Sequence, residues 1–380
     1  MDETLNIRQL VRENIRDLVP YSSARDEYSG SASVFLDANE NPYNIPLNRY
    51  PDPRQIEVKR MIAGLKGQQV ENLFLGNGSD EGIDLLFRVL CEPGHDNIIT
   101  VDPTYGMYGV CAGINNVEQR SVLLKTDFTL DADAVLKAVD DRTKMIFLCS
   151  PNNPTSNSLD RKVVMRIIRE VNCMVVVDEA YIDFSRGEGT GFTSSTKSTG
   201  FTSSTKSTEF TSSTKSMLFH VPKKKNLVVL QTLSKAWGLA GIRLGMVFAH
   251  EELIGYLSNV KYPYNINSLT MESALKSLAD QSSRENWVNQ ILEERRKLNK
   301  RLKSFTFVKR IFPSDANFLL VKMKDPSDVY EFLMNRGIIV RDRSSVPLCE
   351  GCLRITVGTE AENQQLCDAL DTYNQTKDNV

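Results

Sequence analysis

The chain has 380 residues, of which 41% are hydrophobic and 25% charged, and its 46 basic and 48 acidic residues leave a net charge of −2. This length suffices for about two domains, and the balanced charge excludes a global field for nucleic acid. The chain contains neither an apolar run of membrane-spanning length nor the apolar core of a signal peptide, so we expect a cytoplasmic protein that binds no membrane.

The first 44 residues are too few for a domain of their own. They contain one helical pattern followed by the extended segment VFLDANENPY at 34–43. We expect residues 1–44 to be an N-terminal arm that joins a smaller domain or a partner subunit.

Seven short apolar runs rich in Val, Ile and Phe predict the strands of a large domain at 45–262. They begin at residues 73, 97, 120, 145, 174, 227 and 245. Helical patterns separate several of them, such as those at 80–92 and 159–171. Buried strands that alternate with helices indicate an α/β fold class, with a mostly parallel seven-stranded sheet covered on both faces.

A segment of the large domain has a foreign composition. GFTSSTKST at 191–199 recurs at 200–208 and, as EFTSSTKS, at 209–216. Ser and Thr dominate and no amphipathic period is present, so we predict a disordered repeat insertion at 185–216. Repeats of this length can also form a β-solenoid, but three units without apolar ladders disfavour that alternative.

The pattern changes after the large domain. A helical region at about 269–305 precedes apolar strands near 317–323, 337–342 and 352–358, which predicts a smaller α+β domain at 263–380. Cys349 and Cys352 have no second pair and no histidine nearby, so we expect reduced thiols and no metal site.

Polar residues follow the predicted strands of the large domain, where ligands bind in such sheets. They are Ser79, Asp80, Tyr105, Asn153, Asp178, Tyr181, Thr232, Ser234, Lys235 and Arg243. Taken alone, Lys235 is better explained by a snorkelling side chain at a strand–helix turn than by a desolvated nucleophile. Taken together, the residues suit a pyridine aldehyde with a phosphate. Lysine bonds to the aldehyde, aspartate pairs with the ring nitrogen, and arginine, hydroxyls and a helix N-terminus hold the phosphate.

The chain resembles the fold-type I aminotransferases of class II, and among them the histidinol-phosphate aminotransferases. The resemblance extends from about Tyr21 to Gly358 outside the repeats, in the strings LDANENP, RYPDP, GNGSDEGIDLL, DPTYGMY, SPNNPTS, DEAYIDF, TLSKAWGLAGIRLG, IIVRD and LRITVG. It implies pyridoxal 5'-phosphate as cofactor. It also implies transfer of an amino group from L-histidinol phosphate to 2-oxoglutarate, in histidine biosynthesis.

The resemblance also assigns roles to single residues. Lys235 bonds to the cofactor and shuttles a proton, and Asp178 faces the ring nitrogen. Tyr181 and Asn153 contact the ring oxygen, while Tyr105 stacks on the ring. The implied phosphate contacts are Ser79, Asp80, Thr232, Ser234 and Arg243. Among these residues, the catalytic ones are Lys235, Asp178 and Tyr181.

Further residues are implied at the substrate and at a subunit interface. Tyr50 matches a tyrosine that reaches the neighbouring subunit's cofactor, which implies a homodimer. Arg354 matches the arginine that binds the substrate's anionic group, although from the sequence alone it is equally well a surface residue. Tyr21, Arg341 and Asn153 match other substrate contacts.

Two departures from the family pattern and several alternatives remain. Ser156 replaces the usual glycine of its turn, which strains the backbone if φ is positive there. The insertion separates Asp178 from Lys235 by 57 positions, about twice the family's spacing. Threonine-phosphate decarboxylases and aromatic aminotransferases share these motifs. A non-catalytic regulator that binds pyridoxal phosphate is disfavoured, because the segment before LDANENP leaves no room for a DNA-binding domain.

Overall fold

A seven-stranded sheet lies at the centre of the computed structural model, which describes residues 5–22, 24, 28, 33–185 and 215–378. Its strands are β1 (Leu73–Asn77), β2 (Asn97–Asp102), β3 (Glu118–Leu123), β4 (Thr143–Cys149), β5 (Met174–Asp178), β6 (Leu227–Thr232) and β7 (Leu244–Phe248). The spatial order is β1-β7-β6-β5-β4-β2-β3. Only β7 runs antiparallel to its neighbours, so the predicted mostly parallel α/β sheet is confirmed.

Helices cover both faces of this sheet. They are α1 (Ile7–Leu10), α2 (Glu13–Arg16), α3 (Ile56–Lys66), α4 (Gly78–Leu90), α5 (Met107–Ile114), α6 (Ala132–Ala138), α7 (Arg161–Glu170) and α8 (Glu251–Val260). Along β5, Met174 and Val176 enter one hydrophobic cluster while Val175 and Val177 enter the other. Successive side chains point to opposite faces, so a continuous apolar strand is stable only between two helical layers.

A second, antiparallel sheet lies in the C-terminal part of the chain. Its strands β8 (Val308–Ile311), β9 (Phe318–Met323), β10 (Arg341–Asp342) and β11 (Cys352–Thr356) have the order β10-β11-β9-β8. The accompanying helices are α9 (Ser268–Ala279), α10 (Gln281–Leu302), α11 (Pro326–Met334) and α12 (Glu360–Asp378). The predicted helical region is interrupted at Asp280, whose side chain accepts a bond from Ser283 N–H and so caps α10. The chosen boundary between residues 262 and 263 stays a prediction.

The first described residues pack on the large sheet, whereas the sequence predicts that residues 1–44 join the small domain or a partner subunit. Ile7, Val11 and Ile15 belong to the cluster on the α4 and α8 side of the large sheet. Arg12 N–H donates to Val89 O over 2.9 Å, and Arg12 Nε lies 3.1 Å from Glu92 Oε2. Residues 7–16 therefore cover the large sheet. Their apolar side chains recur every four residues, so they form one apolar face that packs against this cluster. For the rest of residues 1–44, the predicted contact with the small domain or a partner stays a prediction.

The repeat insertion lies mostly outside the described residues, which omit 186–214. Its predicted ends at 185 and 216 are wrong, because both ends are buried. Ser185 Oγ donates to Ile182 O over 2.8 Å, and Ser216 Oγ donates to Glu179 Oε2 over 2.7 Å. Lys215 Nζ lies 2.7 Å from Asp315 Oδ2. The chain is thus held by the fold up to residue 185 and again from residue 215.

The turn at Ser156 has the backbone conformation for which the family's usual glycine is suited. Its φ is 67°, where side chains other than glycine are strained. The buried hydroxyl donates to Thr155 O over 2.6 Å and lies 3.2 Å from Pro313 O. These bonds offset part of the strain and leave the neighbouring Asn153 in place. Among the helices described, none is long and apolar enough to span a membrane.

Candidate active site

One open pocket lies beyond the carboxyl ends of β4, β5 and β6, beside the N-terminus of α4. Its empty volume, counted out to the open solvent at the mouth, is about 530 Å³. Ten predicted site residues line it together: Ser79, Asp80, Tyr105, Asn153, Asp178, Tyr181, Thr232, Ser234, Lys235 and Arg243. Gly78, Cys149 and Ala180 complete the lining.

Asp178 is the most enclosed charged group of this pocket. It ends the buried strand β5 and is 2% exposed. Tyr108 Oη donates to Asp178 Oδ2 over 2.8 Å, and Ala180 N–H donates to Oδ1 over 3.0 Å. Burial raises the pKa of Asp178, and the two hydrogen bonds partly oppose that rise because they favour the carboxylate. With no ion pair to any described residue, this carboxylate is suited to a cationic group of a ligand.

The sequence pattern does not single out Tyr108. The residue lies in the first turn of α5, fully buried, with its ring stacked on Phe147 at 4.6 Å between centroids. It also meets Tyr105 edge to face at 5.6 Å. The only signal is its position three residues after Tyr105 in DPTYGMY, which places both rings on one side of the turn.

Lys235 lies in the turn between β6 and β7, and its exposed surface belongs to the pocket wall. Nζ lies 5.6 Å from the centroid of the Tyr181 ring. Loss of hydration within the pocket lowers the pKa of Lys235, and the positive charges of Arg354 and Arg243 lower it further. A lowered pKa increases the fraction of neutral amine, the form that attacks carbonyl carbon.

The N-terminus of α4 forms one end of the pocket. The side chain of its N-cap residue, Asn77, accepts no bond from the first turn, which leaves N–H groups such as those of Ser79 and Asp80 for an anion. β7 approaches this turn so closely that a Cβ at Gly245 would lie 2.1 Å from the backbone carbon of Gly78. Glycine at position 245 is therefore required for this packing of strand and helix.

Hydroxyl groups and a guanidinium surround the same end. Thr232 Oγ1 donates to Ser234 Oγ over 3.0 Å. The guanidinium of Arg243 lies 3.6 Å from Asp80 Oδ2 and remains half exposed. Arg243 O accepts from Gly78 N–H over 2.7 Å, which ties the arginine to the helix start. The helix dipole of α4, the N–H and hydroxyl donors and the charge of Arg243 therefore lie at the same end of the pocket. Together they are suited to bind a phosphate.

Aromatic and polar side chains form the walls between the two ends. Tyr105 Oη donates to Asp80 Oδ1 over 3.1 Å, and burial raises the pKa of Tyr105, so that the phenol stays protonated. Tyr181 packs edge to face on Phe318 with centroids 5.2 Å apart. Burial likewise raises the pKa of Tyr181. Both phenols are therefore hydrogen-bond donors at neutral pH.

Arg354 extends this site into the C-terminal sheet. It lies on β11 and donates from Nη1 to Asn153 Oδ1 over 2.6 Å. Its guanidinium carbon lies 5.4 Å from the centroid of the Phe318 ring. The Nε atom is buried with no hydrogen-bond partner among the described residues, and burial lowers the pKa of Arg354. A buried donor of this kind is suited to an anion that the chain itself does not supply.

Four predicted site residues do not line the pocket; Arg354 contacts its wall through Asn153, and the other three lie apart from it. Tyr21 is 72% exposed and lines a different cavity beside α3 and α8. Tyr50 is half exposed, with its ring stacked on Tyr264 at 4.5 Å. Arg341 is exposed on β10, directly opposite Arg354. The single chain thus does not assemble these three residues with Lys235, and their roles stay predictions.

The sequence is similar to known families and proteins over nearly its whole length. The profile of the family described as aminotransferase class I and II matches residues 33–370. A histidinol-phosphate aminotransferase of Parabacteroides distasonis is 52% identical over 96% of this chain and 98% of its own. One of Bacteroides thetaiotaomicron is 50% identical over 97% of this chain and 99% of its own.

Solved structures share the fold at lower identity. The histidinol-phosphate aminotransferase of Clostridium acetobutylicum is 21% identical, with a TM-score of 0.74 over 87% of this chain and 92% of its own. That of Sinorhizobium meliloti, solved in complex with pyridoxal-5'-phosphate, is 22% identical, with a TM-score of 0.74 over 86% and 83%. At these identities the likeness concerns the fold.

Proposed function

The chain belongs to the aminotransferase class I and II family, and we propose that it transfers an amino group from L-histidinol phosphate to 2-oxoglutarate. The products are imidazole acetol phosphate and L-glutamate, within histidine biosynthesis. The observation that carries the proposal is the 52% identity to a histidinol-phosphate aminotransferase over 96% of the chain. Family membership alone would allow many amino donors.

We propose pyridoxal 5'-phosphate as the cofactor, because the pocket has a suitable group for each of its parts. Lys235 offers an amine of lowered pKa, and Asp178 offers an enclosed carboxylate. The uncapped first turn of α4, together with Arg243, offers an anion site at the opposite end. Tyr105 offers an aromatic wall between them. When bound, this cofactor supplies an aldehyde that accepts amino groups and a ring that withdraws electrons from the neighbouring carbon.

Lys235 and Asp178 have different tasks in the proposed reaction. With the cofactor bound, Lys235 Nζ would accept the proton from the substrate carbon that bears the amino group and would return it at the carbon of the cofactor's aldehyde group. Lowering the pKa of this amine brings it closer to the working pH, where it exchanges protons efficiently. Asp178 holds a negative charge at the buried end of β5 and would stabilise positive charge on the ring nitrogen of the cofactor. Tyr108 and Ala180 fix its two oxygens by hydrogen bonds.

Asn153 and Arg354 position the substrate in this proposal. The hydrogen bond between them orients the amide and leaves the Nε side of the guanidinium for an anion. Glutamate and histidinol phosphate both carry an anionic group near the amino-bearing carbon. One arginine therefore serves both half-reactions, by binding a carboxylate in one and a phosphate in the other.

We further propose that the enzyme is a cytoplasmic homodimer, in which Tyr50 reaches the neighbouring subunit's site and Tyr21 contacts the substrate. Large apolar side chains are exposed in the single chain between residues 36 and 47 and at position 262: Leu36, Tyr43, Ile45, Leu47 and Tyr262. A second copy that covered them would remove apolar surface from water. Light scattering at several protein concentrations tests this state, and a monomer throughout would contradict it.

Steady-state kinetics of the holoenzyme test the function. L-histidinol phosphate, L-phenylalanine and L-threonine phosphate are compared as substrates, each with 2-oxoglutarate. We expect the highest kcat/KM with histidinol phosphate and stoichiometric formation of glutamate. A higher kcat/KM with phenylalanine, or release of carbon dioxide from threonine phosphate, would overturn the proposal.

A further inference from the structure

Three arginines share one face of the β10–β11 hairpin. Arg341 lies directly opposite Arg354 in the antiparallel register. Arg343 N–H donates to Cys352 O over 2.9 Å, so the pairing continues by two residues. Residues directly opposite each other, and residues two apart on one strand, point to the same side. Arg341, Arg343 and Arg354 therefore lie on one face of the hairpin.

This face is turned toward the large domain. Leu353 and Ile355 of β11 pack in the separate core of the small sheet. Cys352, between Arg354 and the hairpin turn, packs instead in the hydrophobic cluster of the large sheet. The arginine face is thus on the same side as the pocket, and Arg354 meets Asn153 there.

The arginines have no counter-ion in the part of the chain that the structure describes. Neither Arg343 nor Arg354 forms an ion pair there, and the Nε atom of each is buried without a hydrogen-bond partner. Burial lowers the pKa of Arg343, and the charges of Arg354 and Arg341 lower it further. Like charges held together in this way repel each other unless an anion lies between them.

The two substrates offer this face different anions. A carboxylate carries one charge in a plane, and a single guanidinium satisfies it with two parallel hydrogen bonds. A phosphate monoester carries between about 1.5 and 2 charges at pH 7, on three terminal oxygens. A phosphate bound by Arg354 therefore still has uncompensated negative charge and a free terminal oxygen that a second cation can bind. A carboxylate bound by Arg354 has neither.

We propose that Arg343 is a specificity-determining residue, which binds the phosphate of the phosphorylated substrate next to Arg354 and contributes little to the dicarboxylate substrate. This inference rests on the proposed function. Arg343 is half-buried on the same face as Arg354, within electrostatic range of Tyr181 in the pocket wall. The second carboxylate of glutamate is remote from its amino-bearing carbon. It therefore does not occupy the position beside Arg354 at which Arg343 would contact a phosphate.

The test compares kcat/KM for L-histidinol phosphate and for L-glutamate in the wild-type holoenzyme and in Arg343→Gln. We expect Arg343→Gln to lower kcat/KM by about tenfold or more for histidinol phosphate, and by less than about threefold for glutamate. Arg343→Lys keeps the charge and should recover part of the loss. Arg310→Gln is the matched control, because it removes an exposed positive charge from β8 of the same sheet and should change neither value.

The outcomes separate this inference from the proposed function. If the wild type does not convert histidinol phosphate, the proposed function fails. If the wild type converts it but Arg343→Gln lowers both values equally, or neither, then Arg343 does not determine specificity. Should Arg343→Gln fail to fold, Arg343→Lys decides alone: a moderate loss of kcat/KM confined to histidinol phosphate supports the proposal, and equal changes for both substrates, or none, contradict it.

Discussion

Tyr108 Oη donates a hydrogen bond of 2.8 Å to Asp178 Oδ2, inside the layer between α5 and the end of β5. Both residues are buried, and the bond favours the charged form of a carboxyl group whose pKa burial raises. Tyr108 therefore acts on the proposed chemistry through Asp178 and touches no pocket surface itself. A phenol that packs as a core aromatic residue thus has an electrostatic role as well.

Replacement of this phenol tests that role. Tyr108→Phe removes one hydrogen bond to a charged group, a contribution of about 1.5–3 kcal/mol, and so raises the pKa of Asp178 further. Because the reaction needs the carboxylate, the acid limb of the kcat/KM profile should move to higher pH. Tyr373→Phe is the matched control, since Tyr373 Oη donates to Asp328 over 2.8 Å in the small domain. Identical profiles for Tyr108→Phe and the wild type would contradict the account.

Arg354→Lys should weaken both substrates, in contrast to the selective loss expected at Arg343. The substitution replaces a planar fork with a point charge and breaks the 2.6 Å bond to Asn153 Oδ1. We expect kcat/KM to fall about 10–100-fold for glutamate and for histidinol phosphate, as two charge-assisted bonds are impaired. If only one of the two values changes in initial-rate measurements, the anion site is not shared.

Glu179 gives the fold a predictable response to pH. It is fully buried next to Asp178, accepts bonds from Ser216, Met217 and Gln231, and has a pKa raised by burial from 4.5 to about 7. Between these values the unfolded chain binds fewer protons at this position than the folded chain. The contribution of Glu179 to stability is therefore lost as pH rises from about 4.5 to 7.

Melting temperatures at pH 5 and pH 8, roughly the ends of that window, test this response. The wild type should lose more of its melting temperature between the two values than Glu179→Gln does, because glutamine does not titrate. All other titrating groups are common to both proteins and cancel in the comparison. An equal decrease in both would show that Glu179 does not couple folding to pH.

The repeat segment is expected to be dispensable, whereas its C-terminal junction is not. Deletion of residues 191–214 removes only Ser- and Thr-rich repeats without an apolar period, so kcat/KM and melting temperature should stay near the wild-type values. Extension of the deletion to residue 216 also removes the hydrogen bond that the Ser216 hydroxyl donates to the buried Glu179. This larger deletion should lower the melting temperature by several degrees. Equal melting temperatures for the two deletions, measured side by side, would contradict a role for the junction.

Strand ends account for most of what could be predicted from the sequence. Each predicted apolar run of the large domain is a strand, and the polar residues that follow these runs meet in one pocket because parallel strands end at the same edge. Arg354 was ambiguous from its own surroundings, and only the fold shows its contact with Asn153. These successes depend on local patterns that tertiary contacts then reinforce.

The missed features depend on contacts between segments remote in sequence. β8 consists of VKRI, which has too few apolar residues to predict a strand, and it forms by pairing with β9. Tyr108 resembles any core aromatic residue until Asp178 is placed beside it. Residues 7–16 pack on the large sheet because of an apolar strip created by α4 and α8 together. None of these partners is adjacent in the sequence.

Turnover by the wild type and by Lys235→Ala tests the central claim most directly. Glutamate formed from L-histidinol phosphate and 2-oxoglutarate is measured for both proteins after incubation with pyridoxal 5'-phosphate. The account predicts steady turnover by the wild type, and a loss of about a thousandfold or more in the variant, which lacks the amine that moves the proton. Near wild-type turnover by Lys235→Ala, or no turnover of histidinol phosphate by the wild type, would contradict it.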